Sequence, residues 1–206
     1  MTPALESSEE FPLDDEEPGI TFDRVVFHYD AGPILQDVSW ELNAGSSIVI
    51  TGQNGCGKSS FLYLAAGLIQ PHRGAVLLGG FPVKGMLPSE RLRRGLPIGF
   101  VFQEGGLLAN LNALANLTLP LHYHADILQL SPDDVQARAE EALHRVQIHR
   151  RDWGQLPAHL SFGNRKRLAI ARALVLRPRF FFFDDPDAGM DQRTAKITHD
   201  ILCDLR

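Results

Sequence analysis

Gly52-Gln53-Asn54-Gly55-Cys56-Gly57-Lys58-Ser59 sets three glycines, a lysine and a hydroxyl at the spacing that wraps a backbone round a polyphosphate anion. The glycines allow the close approach. The amides of Gly55, Cys56, Gly57 and Lys58 turn inward, and a helix beginning here adds the positive end of its dipole. Lys58 would reach the terminal phosphates and Ser59, followed by Ser60, would offer its hydroxyl to magnesium. Cys56 is needed only for its amide. The complementary chemistry lies far downstream in residues 180–191, FFFFDDPDAGMD. Four phenylalanines in succession suit a strand covered on both faces, and an acid at the end of such a strand is the second half of a phosphate-loop site. Asp184 is then the magnesium carboxylate and Asp185 the candidate base for an attacking water.

The elements that must hold these groups can be read from period and breakers. ITFDRVVF and DVSWEL alternate apolar and polar residues as antiparallel strands do, and SSIVIT is a β-branched run leading into the glycine loop. FLYLAAGL after the loop suits a helix, and AVLLGG and PIGFVFQ suit strands. Pro132 and Asp133 after Ser131 start a helix over DVQARAEEALHRV, another spans Asn164 to Leu176, and a last one runs to Arg206. Strand, glycine-rich loop and helix in that order predict an α/β fold with a parallel-sheet core and an antiparallel layer.

Composition excludes several classes. No run of ~18 apolar residues is present and the N-terminus lacks a signal-peptide pattern, which predicts a cytoplasmic location. Cys56 and Cys203 give neither a disulfide framework nor a zinc spacing, and the eight histidines, among them His122 and His124, form no metal motif. The net charge of −5 belongs to residues 1–18, which hold seven of the 25 acids and none of the 20 bases. That acidic segment is predicted to be disordered. The basic runs Arg91, Arg93, Arg94 and Arg165, Lys166, Arg167 are short, so nucleic acid is not expected as a partner.

Residues 160–174, LSFGNRKRLAIARAL, lie between the two halves of the site and resemble the LSGGQ signature and following helix of ABC-type ATPases. The order and spacing of Lys58, Gln103, Ser161 and Asp184 agree, so the resemblance covers residues 19–206, with a helical signature subdomain over about 107–176. It implies ATP and Mg2+ as cofactors, and a second ABC ATPase subunit, identical or not, whose Ser161 and Gly163 close over the γ-phosphate bound on the first. By the same resemblance Tyr29 stacks on adenine, Gln103 joins the magnesium and water site to the helical subdomain, and Asp191 belongs to the loop crossing the dimer interface. Gly52, Asn54, Gly55, Cys56, Gly57, Lys58, Ser59 and Ser60 line the nucleotide. Separate transmembrane permease subunits would dock on the helical subdomain, placing the chain on the cytoplasmic face of the inner membrane. The run GGLLANLNALANLTLPL suits either subdomain core or a transporter-facing groove. Together with FQEGGLL and the AGMD loop it looks like the ATPases of Mla-type and Mce-linked lipid transporters, which implies lipid transport.

Departures from the family pattern bear on activity. Phe162 and Asn164 replace a signature glycine and glutamine, at positions where variation is tolerated. Asp185 stands where glutamate is usual, and a carboxylate one methylene short predicts slow hydrolysis, since ~1 Å of displacement can cost ~100-fold. A further buried strand and a γ-phosphate histidine are expected after the last helix. His199 lies only eight residues past Asp191, in helical context from Thr194 to Leu205, and is read as a helix residue. The pattern is C-terminally incomplete: the sequence is either part of a longer gene product or a degenerate subunit. An ATP-hydrolysing transporter subunit is therefore weighed against a nucleotide-gated binding subunit. A soluble translation or repair protein of this type would need a second phosphate loop or long heptad insertions, and neither is present.

Overall fold

The computed structural model describes residues 18–30, 32–185, 189, 190 and 192–203. The acidic tail over 1–17 and Asp191 lie outside the described residues. Strand β1 (Pro18–Tyr29) is central in an antiparallel sheet of order β2-β1-β3-β4, with β2 (Gly32–Asn43), β3 (Arg73–Leu78) and the short β4 (Phe81–Pro82). Ile20, Phe22, Val25 and Phe27 of β1 are all buried. The step of three from Phe22 to Val25 would break a period of two, but the register shifts there, with Arg24 at φ 47, so one apolar face is kept. Gly74, at φ 80, passes under this bulge, where a Cβ would run into the carbonyls of Asp23 and Arg24.

Helix α1 (Lys58–Ala65) packs beneath that sheet, Phe61 stacking on Phe22 at 4.4 Å with rings 1° from parallel. After α2 (Pro88–Arg93), β5 (Ile98–Val101) and β6 (Phe180–Phe183) pair in parallel, Ile98 opposite Phe180 and Val101 opposite Phe183. The phenylalanines alternate as a doubly covered strand requires. Phe180 and Phe182 enter the core shared with β1 and α1, whereas Phe181 and Phe183 pack against the core of the helical layer. Each fully buried Phe is worth about 1.5–3 kcal/mol relative to exposure.

The helical layer consists of α3 (Ala113–Tyr123), α4 (Ala125–Leu128), α5 (Pro132–Arg145) and α6 (Phe162–Leu174). Helix α5 buries Val135, Ala139, Ala142 and Leu143 on one stripe and starts with the expected Ser131, which forms a capping box with Asp134. The last described element is α7 (Gln192–Cys203), which contains His199; its expected continuation to Arg206 lies outside the described residues.

Two expectations need correction. Helix α6 begins two residues before Asn164, because Ser161 caps it by accepting from the Asn164 amide at 3.1 Å. Residues 46–51 form no strand: Ile48 is 47% and Val49 87% exposed. Their β-branched composition favours an extended chain, but among the described residues no strand pairs with them, and an unpaired ladder edge does not hold itself. The parallel sheet of the described residues accordingly has two strands.

Candidate functional site

Gly57 precedes α1 in the left-handed region (φ 100), and no side chain caps this helix, so the amides of its first turn remain available to an anion. Glycine is required here on two counts, since a Cβ would also lie 2.6 Å from Ile34 Cγ2. Gly52 and Gly55 likewise have positive φ. Within the loop, Lys58 Nζ donates to the carbonyls of Gly52 at 3.0 Å and Gln53 at 2.9 Å. The Cys56 amide donates to Gln53 O at 3.3 Å, so one of the expected inward amides is turned to its own chain. The cation is thus drawn back over the loop it would share with a phosphate.

In the first turn of α1, Ser59 Oγ donates to Asp184 Oδ1 at 2.9 Å. Tyr63, four residues further on the same face, donates its hydroxyl to Asp184 Oδ2 at 3.0 Å. Asp184 is 7% exposed at the end of β6, its position fixed by its own amide bonding Val101 O at 2.9 Å. Burial, reinforced by the bond to Asp184, raises the Tyr63 phenol above its ordinary value and keeps it a donor. Sequence reasoning missed Tyr63, although a tyrosine at i+4 from the magnesium serine was the signal available.

Asp185 is exposed and adopts φ 55, a left-handed conformation that aspartate tolerates better than most residues. Gln103 comes to the same end of the sheet, because the β5–β6 register puts both residues two positions beyond the last pair, Val101 and Phe183. Open parallel sheets bind their ligands at such carboxyl ends. Gln103 is exposed, and its carbonyl accepts from Lys166 Nζ.

Tyr29 closes β1 with its ring 47% exposed and set edge-on to Phe27 at 4.9 Å. It borders a shallow pocket with His28, Asp30, Gly32 and Pro33, and Ser60 Oγ donates to its hydroxyl at 3.5 Å, tying it to α1. Asn54 is exposed in the loop. Ser161 and Gly163 sit at the start of α6, outside the hydrogen bonds that join Ser59 and Tyr63 to Asp184. Phe162 between them meets Gly189, where a Cβ would lie 3.2 Å from its ring.

A second concavity, a groove of about 520 Å³, runs between the sheet and the helical layer. Ile98, Phe100, Leu108 and Leu119 line it, with Tyr123, His124 and Arg172 at its polar edge. Helix α3 divides between core and surface: Leu117 and Leu121 are buried, whereas Leu119 and Tyr123 are exposed. His124 is 6% exposed, and its Nδ1 is buried without a hydrogen-bond partner.

The donor set fits magnesium with a nucleotide. Ser59 and Asp184 present two hard oxygens 2.9 Å apart, the separation of adjacent ligands in an octahedron with bonds of about 2.0–2.1 Å. A glycine loop opening a helix, with this pair beneath it and a base-sized aromatic to one side, defines a phosphate-loop nucleotide-binding protein. Comparison with known proteins narrows the class. A family model described as ABC transporter matches residues 35–188, and the chain belongs to that family. It is an ATPase cassette of this kind, with ATP and Mg2+ as its cofactors.

The lipoprotein-releasing system ATP-binding protein LolD of Alcanivorax borkumensis is 35% identical over 198 residues, covering 94% of this chain and 85% of that protein. LolD of Colwellia psychrerythraea is 34% identical over 174 residues, and here the match covers 84% of this chain but only 65% of the relative. The spermidine/putrescine import protein PotA of Pseudomonas aeruginosa is 33% identical, with 83% of this chain and 44% of that protein covered. Among solved structures, the ATP-binding cassette MJ0796, a dimer in a post-hydrolysis state bound to ADP and Pi, superposes with a TM-score of 0.79 at 30% identity, covering 90% of this chain and 82% of its own.

Proposed function

We propose that this chain is the ATP-binding subunit of a membrane transporter, binding and slowly hydrolysing ATP on the cytoplasmic face of the inner membrane. The observation that carries the reading is the Ser59–Asp184 pair at the foot of the glycine loop. Lys58 leaves the carbonyls of Gly52 and Gln53 to hold the terminal phosphates, and the amides around Gly55 and Gly57 and the start of α1 surround them. Ser59, Asp184 and Gln103 hold magnesium, which when bound offsets phosphate charge. Tyr29 stacks on the base. Asp185 orients the attacking water and takes up its proton. Ser161 and Gly163 serve the site of a second subunit, whether the same chain or a related one, and Asp191 lies in the loop between the two.

No helix among the described residues is long and apolar enough to cross a membrane. The family resemblance supports separate permease subunits as the transporter's spanning part. The groove bordered by Leu119 and Tyr123 is their docking place. For cargo, the LolD relatives favour a lipid-anchored or lipid substrate, the same broad class as the Mla-type likeness of the sequence.

A second reading, a nucleotide-gated subunit with little hydrolysis of its own, is favoured by the short side chain at Asp185. Magnesium-dependent ATP hydrolysis at several protein concentrations, compared with Lys58→Ala, tests the first reading. A rate that climbs steeply with concentration and disappears in the variant supports it. ATP binding without turnover supports the second, and no ATP binding at all overturns both.

A further inference from the structure

The loop that follows β5 is fastened to α6 by two cations. Lys166, 3% exposed, donates to Gln103 O, and Arg172 donates through one guanidinium nitrogen to Gly106 O at 2.7 Å and through the other to Gly105 O at 3.2 Å. Lys166, Ala169 and Arg172 recur every three residues along one face of the helix. Ala169 occupies the space between the cations, its Cβ 3.4 Å from where a Cβ on Gly105 would stand. Gly105 and Gly106 have φ 81 and 62, and these two left-handed residues allow the turn that brings three carbonyls to one helix face. A lysine buried this deeply is expensive unless its ammonium is hydrogen-bonded, so the carbonyl contact is not incidental. The same helix is capped by Ser161, and its Arg172 also borders the groove.

We propose that Lys166 and Arg172 are positioning residues: they clamp the Gln103 loop to α6, so that one rigid helix sets the place of Gln103 at the nucleotide site and of Ser161 at the dimer face. The inference rests on the reading of Gln103 as a magnesium-site residue.

The experiment uses the full chain with Lys166→Met, Lys166→Arg, Arg172→Lys and Gln103→Ala. It reads hydrogen exchange of the amides over 102–108, affinity for a fluorescent ATP analogue without magnesium, and the magnesium concentration that half-saturates the nucleotide complex. Lys166→Met should speed exchange in the loop at least about tenfold and weaken magnesium about 10- to 100-fold, the range seen when a partner orienting a metal ligand is lost. Metal-free nucleotide affinity should stay within about twofold, and Lys166→Arg, which keeps a charged donor, should recover part of the magnesium loss. Adding Lys166→Met to Gln103→Ala should weaken magnesium no further than Gln103→Ala alone. Unchanged loop exchange in both Lys166→Met and Arg172→Lys overturns the clamp. Faster exchange with unchanged magnesium dependence overturns its role toward Gln103. Should Lys166→Met not fold, Arg172→Lys carries the same readouts. If Gln103→Ala leaves magnesium binding intact, the reading of Gln103 fails, while the exchange data still decide whether the clamp exists.

Discussion

Ser59 and Asp184, separated by 125 positions in the chain, meet with 2.9 Å between hydroxyl and carboxylate oxygens. The contact joins the first turn of α1 to the end of β6. Replacing Asp184 with asparagine preserves shape and acceptor but removes the charge a hard cation requires. Magnesium affinity of the nucleotide complex should fall on the order of 100-fold in Asp184→Asn and about tenfold in Ser59→Ala. Metal-free nucleotide binding should change little in either. Magnesium titration of a fluorescent nucleotide complex measures both.

Asp185 stands on exposed, left-handed backbone, where its short side chain limits how far the carboxylate reaches. Asp185→Glu should raise turnover about 10- to 100-fold at an unchanged KM, because the added methylene improves positioning and leaves nucleotide binding as it was. Steady-state hydrolysis above and below saturating ATP separates the two parameters. An unchanged turnover number would place the limiting step elsewhere.

Asn116 is wholly buried on the core face of α3, beside Ala113 and Leu117. Its amide nitrogen donates to Leu108 O, Leu111 O and Asn112 O, and its oxygen accepts from the Leu108 amide at 2.9 Å. Asn116→Leu is more hydrophobic and nearly the same size, yet it strands backbone groups away from water. The variant should lose about 2–3 kcal/mol of stability, read as a lower urea midpoint at constant slope.

Burial lowers the His124 imidazole below its ordinary value, so the fold favours the neutral ring. For a basic group shifted this way, the stabilisation is complete above the unfolded pKa of about 6.5 and is lost as pH falls through the depressed folded value. Protonation would also set a cation beside the groove that Arg172 already borders. The parent's Tm should therefore fall as the pH drops below about 6.5, and the fall should be shallower in His124→Leu. Thermal scans across that range measure the difference.

The site was legible where its signals are local. The spacing of Gly52, Gly55 and Gly57 before Lys58 specifies a backbone path, and the run Phe180 to Phe183 specifies a strand with two covered faces. Both follow from side-chain size and φ alone. Residues 46–51 show the limit of that reasoning, because their composition favours extension but a strand also needs a neighbour, and a neighbour is a property of topology. The partners of Tyr63 and Lys166 were hidden for a related reason. Tyr63 bonds a carboxylate 121 positions away, and Lys166 bonds a backbone carbonyl, which leaves no mark in the sequence. The start of α6 is readable in principle, since serine is a preferred N-cap and Ser161 stands just before the helical run.

The alternation along β6 has a thermodynamic consequence. Phe180 and Phe182 belong to the core of the antiparallel layer, and Phe181 and Phe183 to that of the helices, so neither core can lose its packing while this strand stays intact for the other. Heat or denaturant should remove both layers in one cooperative transition, and a substitution at Phe181 should lower the stability of the nucleotide-binding layer it does not touch.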